Sequence, residues 1–405
     1  MCYGASRLWA AGLRAVGFDS KPCPEADAGA LEVALRYTSG DECYPQRVTV
    51  AEFVKAMGEE GFDPHRAVFL MATTTGPCRF GQYSPLLRRI LDRMGQGEIP
   101  VLSLNSDSGY REIAEHSSGL NRLLWWAVVV SDLLRRALHR TRPYETRPGD
   151  ADAVHEWCVE EASRVIESSP NADREKLERL VRTMEACRDR FNEIPADHSQ
   201  ERLLIGVVGE IFCRLNPFTN EDVIRKIEAF GGEAWLSGVV EWVWYVNLWE
   251  FENLRTAGRR FSKEMLSTWL SCFVQRRDEE RLSAPFKRMM SGREDPHGAE
   301  GILDLAQPYL PWKGALGEMV LSVGKAVYLQ KKGVDGVVDI SPFGCMNGVV
   351  SEAVYPAVSR DNGGIPIRNF YFDGSGGDAG NALEIFMELA ANYRRTRTLA
   401  RSVGV

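Results

Sequence analysis

The sequence lacks several features that mark common classes of protein. It has no basic excess, since 49 Lys and Arg face 56 Asp and Glu for a net charge of −7, which argues against non-specific nucleic-acid binding. Its longest apolar run, Leu123–Val130, is well short of the ~20 residues that a membrane helix needs. The N-terminus shows no basic region followed by an apolar core. We therefore expect a globular cytoplasmic protein with neither nucleic acid nor a membrane as a partner.

The sequence also lacks the motifs of zinc sites and nucleotide-triphosphate sites. Its nine cysteines are scattered without close pairs, and its six histidines show no ligand spacing. No GxxxxGK[ST] loop occurs, so any ATP must act on a partner protein. An odd number of scattered cysteines in a large chain predicts free thiols or metal ligands in a reducing compartment.

What the sequence does contain is an alternation of strand-like and helix-like segments. The predicted strands are Ala67–Ala72, Pro100–Leu104, Leu203–Val208, Ala234–Leu236, Gly336–Ser341 and Ile367–Phe372. The helical segments are Tyr83–Met94, Glu221–Phe230, Val349–Val358 and Ala379–Arg394. This alternation is typical of βαβ units in a mostly parallel sheet. The fold class is therefore α/β, with two doubly wound, Rossmann-like lobes.

The strands form two groups, which set the predicted domains. Residues 1–115 form the first lobe, residues 116–200 a helical connection without strands, and residues 201–405 the second lobe. A helical, aromatic-rich insertion is expected at about residues 245–292 of the second lobe. At the N-terminus, Ala5–Val16 reads as a helix and Phe18–Lys21 leads into a short strand. Because no strand precedes that helix, either Met1 lies inside the expected first βα turn, which would leave the first sheet short of one strand, or another segment fills that sheet position.

Three cysteines share one local setting. Cys43 lies in SGDECYPQRVT before a predicted helix at Val50–Met57, Cys78 lies in TTTGPCRFGQY after a strand, and Cys345 lies in SPFGCMNGVVSE after another strand. Ligands of open α/β sheets bind beyond the carboxyl ends of strands, and helix starts stabilise thiolates. The residues alone leave two interpretations open: an iron–sulfur cluster with one iron free of cysteine, or unrelated loop cysteines.

Four ordered motifs add a family resemblance. They are YTSGDECYPQ (residues 37–46), TTTGPCRFGQY (73–83), GEIFCRLNPFTNEDV (209–223) and SPFGCMNGVVSEAV (341–354). Together they resemble the 2-hydroxyacyl-CoA dehydratase component family, in the branch related to proteins associated with CoA-substrate-specific enzyme activases and to double-cubane cluster proteins. The resemblance covers most of the chain and is weakest at about residues 111–200 and in the aromatic insertion.

The resemblance implies an anaerobic iron–sulfur protein. It makes Cys43, Cys78 and Cys345 the ligands of a [4Fe–4S] or double-cubane [8Fe–9S] cluster with an open iron. It also implies low-potential electrons from an ATP-dependent activator of the ASKHA type, a homo- or heterodimer, and an acyl-CoA or small-molecule substrate. The expected activity is that of a dehydratase-like lyase or a reductase. The alternative is a non-catalytic electron relay or an accessory subunit.

Other residues near these motifs have weaker assignments. Glu210 could accept a hydrogen bond or move a proton, and it is the candidate catalytic residue. Asn216 and Asn220 are expected on the same rim, with helix capping as the simpler role of Asn220. Arg79 could stabilise a thiolate or an anion, or form a surface ion pair. Structural roles are expected for Asp339, Ser341 and Glu352.

The remaining cysteines and one glycine-rich segment complete the candidates. Cys2 is the best candidate for an additional ligand, whereas packing roles are expected for Cys158, Cys187 and Cys272; Cys23 and Cys213 have no assigned role. The segment GSGGDAG, Gly374–Gly380, follows the last predicted strand. No strand and acidic residue follow it as a dinucleotide site requires, so we expect a tight βα turn whose amides could hold an anion such as a CoA phosphate.

Overall fold

A computed structural model describes residues 3–74, 76–105, 119–168, 172–314, 317–376 and 379–403. The helices are α1 (Tyr3–Ala15), α2 (Ala28–Leu35), α3 (Tyr44–Met57), α4 (Tyr83–Arg93), α5 (Leu120–Thr141), α6 (Asp150–Glu167), α7 (Arg174–Asn192), α8 (Ile211–Leu215), α9 (Val223–Ala229), α10 (Val240–Thr256), α11 (Lys263–Ser283), α12 (Glu300–Ala306), α13 (Glu318–Lys331), α14 (Met346–Asp361) and α15 (Ala379–Val403). The strands are β1 (Phe69–Thr73), β2 (Val101–Asn105), β3 (Leu203–Gly209), β4 (Gly232–Leu236), β5 (Gly336–Pro342) and β6 (Ile367–Phe372).

All six predicted strands are present, each within two residues of its predicted bounds. The runs of branched and aromatic residues that mark them suit a buried sheet, so the local pattern and the fold agree. β1 pairs with β2, and the second sheet has the order β4-β3-β5-β6. Every pairing is parallel. The predicted α/β class with parallel sheets is confirmed.

The second sheet is covered on both faces, as a parallel sheet requires. Along β3, Leu204 and Val208 join the hydrophobic cluster that includes α5 and α13. The alternate residues Ile205 and Val207 join a second cluster that includes α3, α9 and α15. The strand order reverses between β3 and β5, so the crevice beyond their carboxyl ends is the expected place for a ligand.

The predicted helical connection and insertion are helical in the structure. α5, α6 and α7 pack on one another, and α1 packs mainly against α5 and α6. The insertion consists of α10, α11 and a short 3-10 turn at Ala284–Phe286, and it begins earlier than predicted, at Val240. None of the described helices is both long and apolar enough to cross a membrane.

Two local predictions in the first lobe were wrong. The helix after Cys43 begins at Tyr44 instead of Val50, because Pro45 lies in its first turn, where a missing amide hydrogen costs nothing. Residues 16–27 contain no strand, although Phe18–Lys21 was expected to lead into one. The first sheet therefore has two strands within the described residues.

Helix α3 is shared between two hydrophobic cores. Val48 and Ala51 pack into the cluster that covers one face of the second sheet. Phe53 and Ala56, on another side of the same helix, pack with β1, β2 and α4. Because α3 begins directly after Cys43, the position of that cysteine depends on both sheets.

A close approach of α12 and α13 gives a stability prediction. A Cβ atom at Gly324 of α13 would collide with the carbonyl oxygen of Ile302 in α12, whereas one at Gly301 of α12 meets nothing within 4 Å. We expect Gly324→Ala to lower the free energy of unfolding by ~1–3 kcal/mol through overpacking. The matched change Gly301→Ala should raise it by ~0.5–1 kcal/mol, because alanine is favoured in helices. Urea unfolding midpoints would measure both, and equal midpoints would contradict the close approach.

Candidate functional site

Each of the three predicted cluster cysteines directly precedes a helical turn. Cys43 is the N-cap of α3, Cys78 the N-cap of a 3-10 turn at Arg79–Gln82, and Cys345 the N-cap of α14. All three have extended backbone conformations, with φ between −65° and −69°. Cys78 Sγ accepts a hydrogen bond of 3.4 Å from the amide of Phe80. Burial raises the pKa of each of the three thiols, and the helix-start amides next to them oppose that rise.

Arg79 joins the three cysteine loops. Its guanidinium donates one hydrogen bond of 2.8 Å to the carbonyl of Asp41 and another of 2.9 Å to the carbonyl of Gly344. Asp41 lies two residues before Cys43, Gly344 directly precedes Cys345, and Arg79 itself follows Cys78. Burial raises the pKa of the Cys43 thiol, and the positive charge of Arg79 opposes that rise, which agrees with the predicted thiolate role. Through its two hydrogen bonds Arg79 is also a bridge between backbone segments of both lobes.

Glu210 is a second residue, besides Arg79, that affects the surroundings of all three thiols. It follows β3, next to the end of β5, and its amide donates to the carbonyl of Ile340 at 2.9 Å. Burial is the main reason that the pKa of each thiol is raised, to about 11 for Cys78 and about 12 for Cys345. The Glu210 carboxylate adds to the rise in pKa of all three. The charge of one carboxylate, at the strand-order reversal, therefore acts on all three thiols.

The Glu210 side chain has a structural role of its own. Its two carboxylate oxygens accept the amides of Phe212 at 3.0 Å and Cys213 at 2.7 Å, which caps the short helix α8. Burial raises the pKa of Glu210, and these two amides oppose the rise. The carboxylate therefore holds the loop after β3 in place, whether or not it also takes part in chemistry.

Glu318, at the start of α13, lies beside Glu210 and was missed in the sequence. Its Oε1 accepts the amide of Ile211 at 3.0 Å, and its Oε2 accepts a long hydrogen bond of 3.4 Å from the side chain of Asn347. Burial, and then the charge of Glu210, raise the pKa of Glu318 to about 8. Two neighbouring carboxyls of this kind hold at least one proton at neutral pH. The only sequence signal was an acidic residue in a helix first turn.

Tyr83, the first residue of α4, contacts a cysteine directly. Its hydroxyl lies 2.8 Å from Cys43 Sγ, and its ring packs edge-on to Phe80. Burial and the nearby Cys43 and Glu210 raise the pKa of Tyr83 well above its usual value, so the phenol stays protonated. Tyr83 is part of a quoted motif, but nothing in the sequence indicated that it would reach across to Cys43.

The three cysteines open onto a large cavity between the lobes. The cavity has a volume of about 1520 Å³, larger than the ~300–1,000 Å³ of ordinary small-molecule pockets. Its polar wall includes Glu52, Glu210, Asn216 and Glu318. Most of the remaining wall is apolar and comes from α1, α3, α5, α10 and the first sheet, including Trp9, Leu13, Phe53, Phe69, Leu124, Trp125, Trp242 and Val246.

The two predicted rim asparagines differ in position. Asn216 lines the cavity, and its amide nitrogen is 3.4 Å from Glu52 Oε1. Asn220 is buried and faces inward, donating to the carbonyls of Cys213 at 2.9 Å and Arg214 at 3.1 Å. Its side-chain oxygen accepts the amide of Val223 at 3.3 Å, at the start of α9. The simpler prediction, a helix-start role for Asn220, is confirmed, and the rim placement of Asn220 was wrong.

The acidic and hydroxyl residues near Cys345 form structural contacts. Asp339 is fully buried in β5 and accepts hydrogen bonds from Ser341 at 2.8 Å, Ser351 at 3.1 Å and Tyr355 at 2.6 Å. Glu352 accepts the hydroxyl of Tyr371 at 2.6 Å on the surface. The buried set ties β5 to α14, and so fixes the segment that carries Cys345.

Most other cysteines are packing residues. Cys158, Cys187 and Cys213 are fully buried, and Cys272 is half-buried against the large core cluster. Cys23 lines the cavity. Cys2, the candidate for an additional ligand, lies outside the described residues.

The glycine-rich segment lies between the end of β6 at Phe372 and the start of α15 at Ala379, the place of the predicted turn. Its residues 377 and 378 lie outside the described part. Gly374 has a φ of +84° and approaches the ring of Tyr44 so closely that a side chain would collide with it. In addition, Arg47 of α3 donates to the carbonyl of Asp373 at 2.8 Å. This turn therefore contacts the helix that begins at Cys43.

The three thiols can be compared with the donor sets of metal sites. Among the described residues, no group of three or more His, Cys, Asp or Glu side chains is arranged to hold one metal ion. A single ion with ~2.3 Å metal–sulfur bonds needs sulfurs about 4 Å apart, whereas sulfurs on three different irons of a cubane lie roughly 6–7 Å apart. The thiols lie at helix starts beside a cavity, in loops that Arg79 joins, and thiolates are the donors that an iron–sulfur cluster would use.

In comparisons with known proteins, no family model and no curated protein matches this chain. The resemblance to the dehydratase component family therefore stays a prediction that depends on the four motifs.

Proposed function

We propose that the chain is an iron–sulfur protein of the 2-hydroxyacyl-CoA dehydratase type, with Cys43, Cys78 and Cys345 as the cluster ligands. The observation that carries this proposal is the Arg79 bridge, which links the backbone next to all three cysteines at the carboxyl ends of parallel strands. Three cysteines for a cluster leave one iron without a protein thiolate. The predicted cytoplasmic location agrees with the chemistry, since such thiols need a reducing compartment.

When bound, a cluster of this type supplies low-potential electrons and an open coordination position. The chain's own residues would prepare the site around it. The apolar cavity wall excludes water from a substrate, and Glu318, with a pKa raised to about 8, keeps a proton that it could donate to a departing oxygen. Glu210 holds the loop after β3 and keeps the pKa of Glu318 high.

The cavity favours an enzyme over an electron relay. A relay needs a cluster close to the surface and no room for a substrate, whereas about 1520 Å³ adjoins the three cysteines. The proposed partners are an ATP-dependent activator, which supplies electrons because this sequence has no Walker-type loop, and a second copy or a related subunit. The proposed substrate is an acyl-CoA or a small reducible molecule.

The first test is the iron content of the full chain purified without oxygen. We expect a brown protein with roughly four or eight irons per chain, as [4Fe–4S] or double-cubane clusters require. Chemical reconstitution with iron and sulfide would serve as a second route to the loaded protein. A colourless, iron-free protein by both routes would overturn the proposal.

A second test separates enzyme from relay in the iron-loaded protein. With an ATP-dependent activator and ATP, we expect turnover of either 2-hydroxyacyl-CoA compounds or of azide and acetylene. The matched control omits ATP, which should abolish turnover. Reduction of the cluster by the activator without turnover of any of these compounds would favour the relay.

A further inference from the structure

The three candidate ligand sulfurs differ in one respect. Cys43 Sγ lies 2.8 Å from the hydroxyl of Tyr83. Among the described residues, the hydrogen-bond neighbours of Cys78 Sγ and Cys345 Sγ are backbone amides: that of Phe80 for Cys78, and those of Asn347 and Gly348 for Cys345. One sulfur of the three therefore has a side-chain hydroxyl as its neighbour.

The position of Tyr83 is well fixed. It is 7% exposed, it begins α4, and its ring packs edge-on to Phe80 with centroids 5.1 Å apart. The 3-10 turn that starts at Cys78 leads directly into Tyr83, so the same segment supplies one sulfur and the hydroxyl that reaches another. Such a hydroxyl in buried surroundings makes a stronger hydrogen bond than one in water.

We propose that Tyr83 is a positioning residue that sets the reduction potential of the cluster by donating a hydrogen bond to Cys43 Sγ; this inference rests on the proposed function. A sulfur bound to iron carries no proton, so the hydroxyl must be the donor. A donated hydrogen bond stabilises the more negative, reduced form of the cluster more than the oxidised form. Hydrogen bonds to ligand sulfurs are one of the means by which proteins set cluster potentials.

The test is a potentiometric titration of the iron-loaded full chain, followed by electron paramagnetic resonance. Tyr83→Phe should keep the wild-type iron content and lower the midpoint potential. A tenfold fall in the reduced-to-oxidised ratio, the size we expect, corresponds to about 59 mV for a one-electron couple. The matched control is Tyr371→Phe, which removes a hydroxyl bonded to Glu352 instead of to sulfur and should leave the potential unchanged.

A second change at the same position should act in the opposite direction. Incorporation of 3-fluorotyrosine in place of Tyr83 makes the hydroxyl a stronger donor and should raise the midpoint potential. The midpoint potential of the 3-fluorotyrosine protein tests the hydrogen bond to Cys43 Sγ even if the Tyr83→Phe protein fails to fold. Because it keeps the ring and the hydroxyl, a purely structural role of Tyr83 would not move the potential.

The outcomes separate this inference from the proposed function. An iron-free wild-type protein would overturn the proposed function itself. Normal iron with unchanged potentials in both Tyr83 proteins would overturn only the role of Tyr83. Loss of iron from a folded Tyr83→Phe protein, with no shift on fluorination, would also overturn it and assign Tyr83 to holding the Cys43 loop.

Discussion

Cys43→Ala, Cys78→Ala and Cys345→Ala should each abolish most of the iron binding of the anaerobically purified protein. The loss of a residue that merely supports a ligand costs about 10–100-fold in metal affinity, so the loss of a ligand itself should cost at least as much. Cys345→Ala is the most informative of the three, because Cys345 is the contribution of the second lobe. Iron and sulfide analysis, with the visible absorption of the cluster, would measure the effect.

The matched control for the cysteine series is Cys272→Ala. Cys272 is half-buried on α11 and packs against the large core cluster, far along the chain from the Arg79 bridge. The Cys272→Ala protein should keep its full iron content. That result would show that the removal of a thiol does not by itself disturb the binding of iron. Wild-type iron in any one of the three site variants would remove that cysteine from the ligand set.

Arg79→Met should loosen the site without removing a ligand. It deletes the hydrogen bonds of 2.8 Å to Asp41 and 2.9 Å to Gly344, and so frees the loops of Cys43 and Cys345 from the Cys78 segment. We expect iron to be lost to a mild chelator about 10–100 times more readily than from the wild type, the usual effect of removing support around metal ligands. The rate of iron loss under anaerobic conditions is the measurement.

Two companion variants make the Arg79 result specific. Arg89→Met removes an exposed arginine from nearby α4 and should keep wild-type retention of iron. Arg79→Lys keeps the positive charge, but its single ammonium group lacks the planar fork that spans two carbonyls, so it should behave like Arg79→Met. Full retention of iron in Arg79→Lys would mean that charge, and not the two-carbonyl bridge, is what matters.

The sequence predicted the strands and the setting of the cysteines because both depend on local residues. Branched residues mark buried strands, and a cysteine between a strand and a helix is visible as a short motif. The early start of α3 was missed because the prediction placed the helix after Pro45, whereas proline is tolerated in a first turn.

The rest of the site depends on contacts between distant segments. Arg79 binds backbone carbonyls, and a carbonyl is present in every residue, so no sequence pattern marks its partners. Glu318 lies more than a hundred residues after Glu210, and only the fold brings the two carboxyls together. The orientation of Asn220 also depends on the fold. The sequence allowed its side chain to face either the rim or α8, and in the structure it faces α8.

The sharing of α3 between two hydrophobic cores has a consequence for how the protein unfolds. One side of α3 is buried against the second sheet and another against the first, so the two lobes cannot separate without exposing apolar residues of a single helix. The lobes should therefore melt together as one cooperative unit instead of in two steps. Motion that admits a substrate must then come from the loops around the cavity, since opening by rotation of whole lobes would have to break the core that they hold in common.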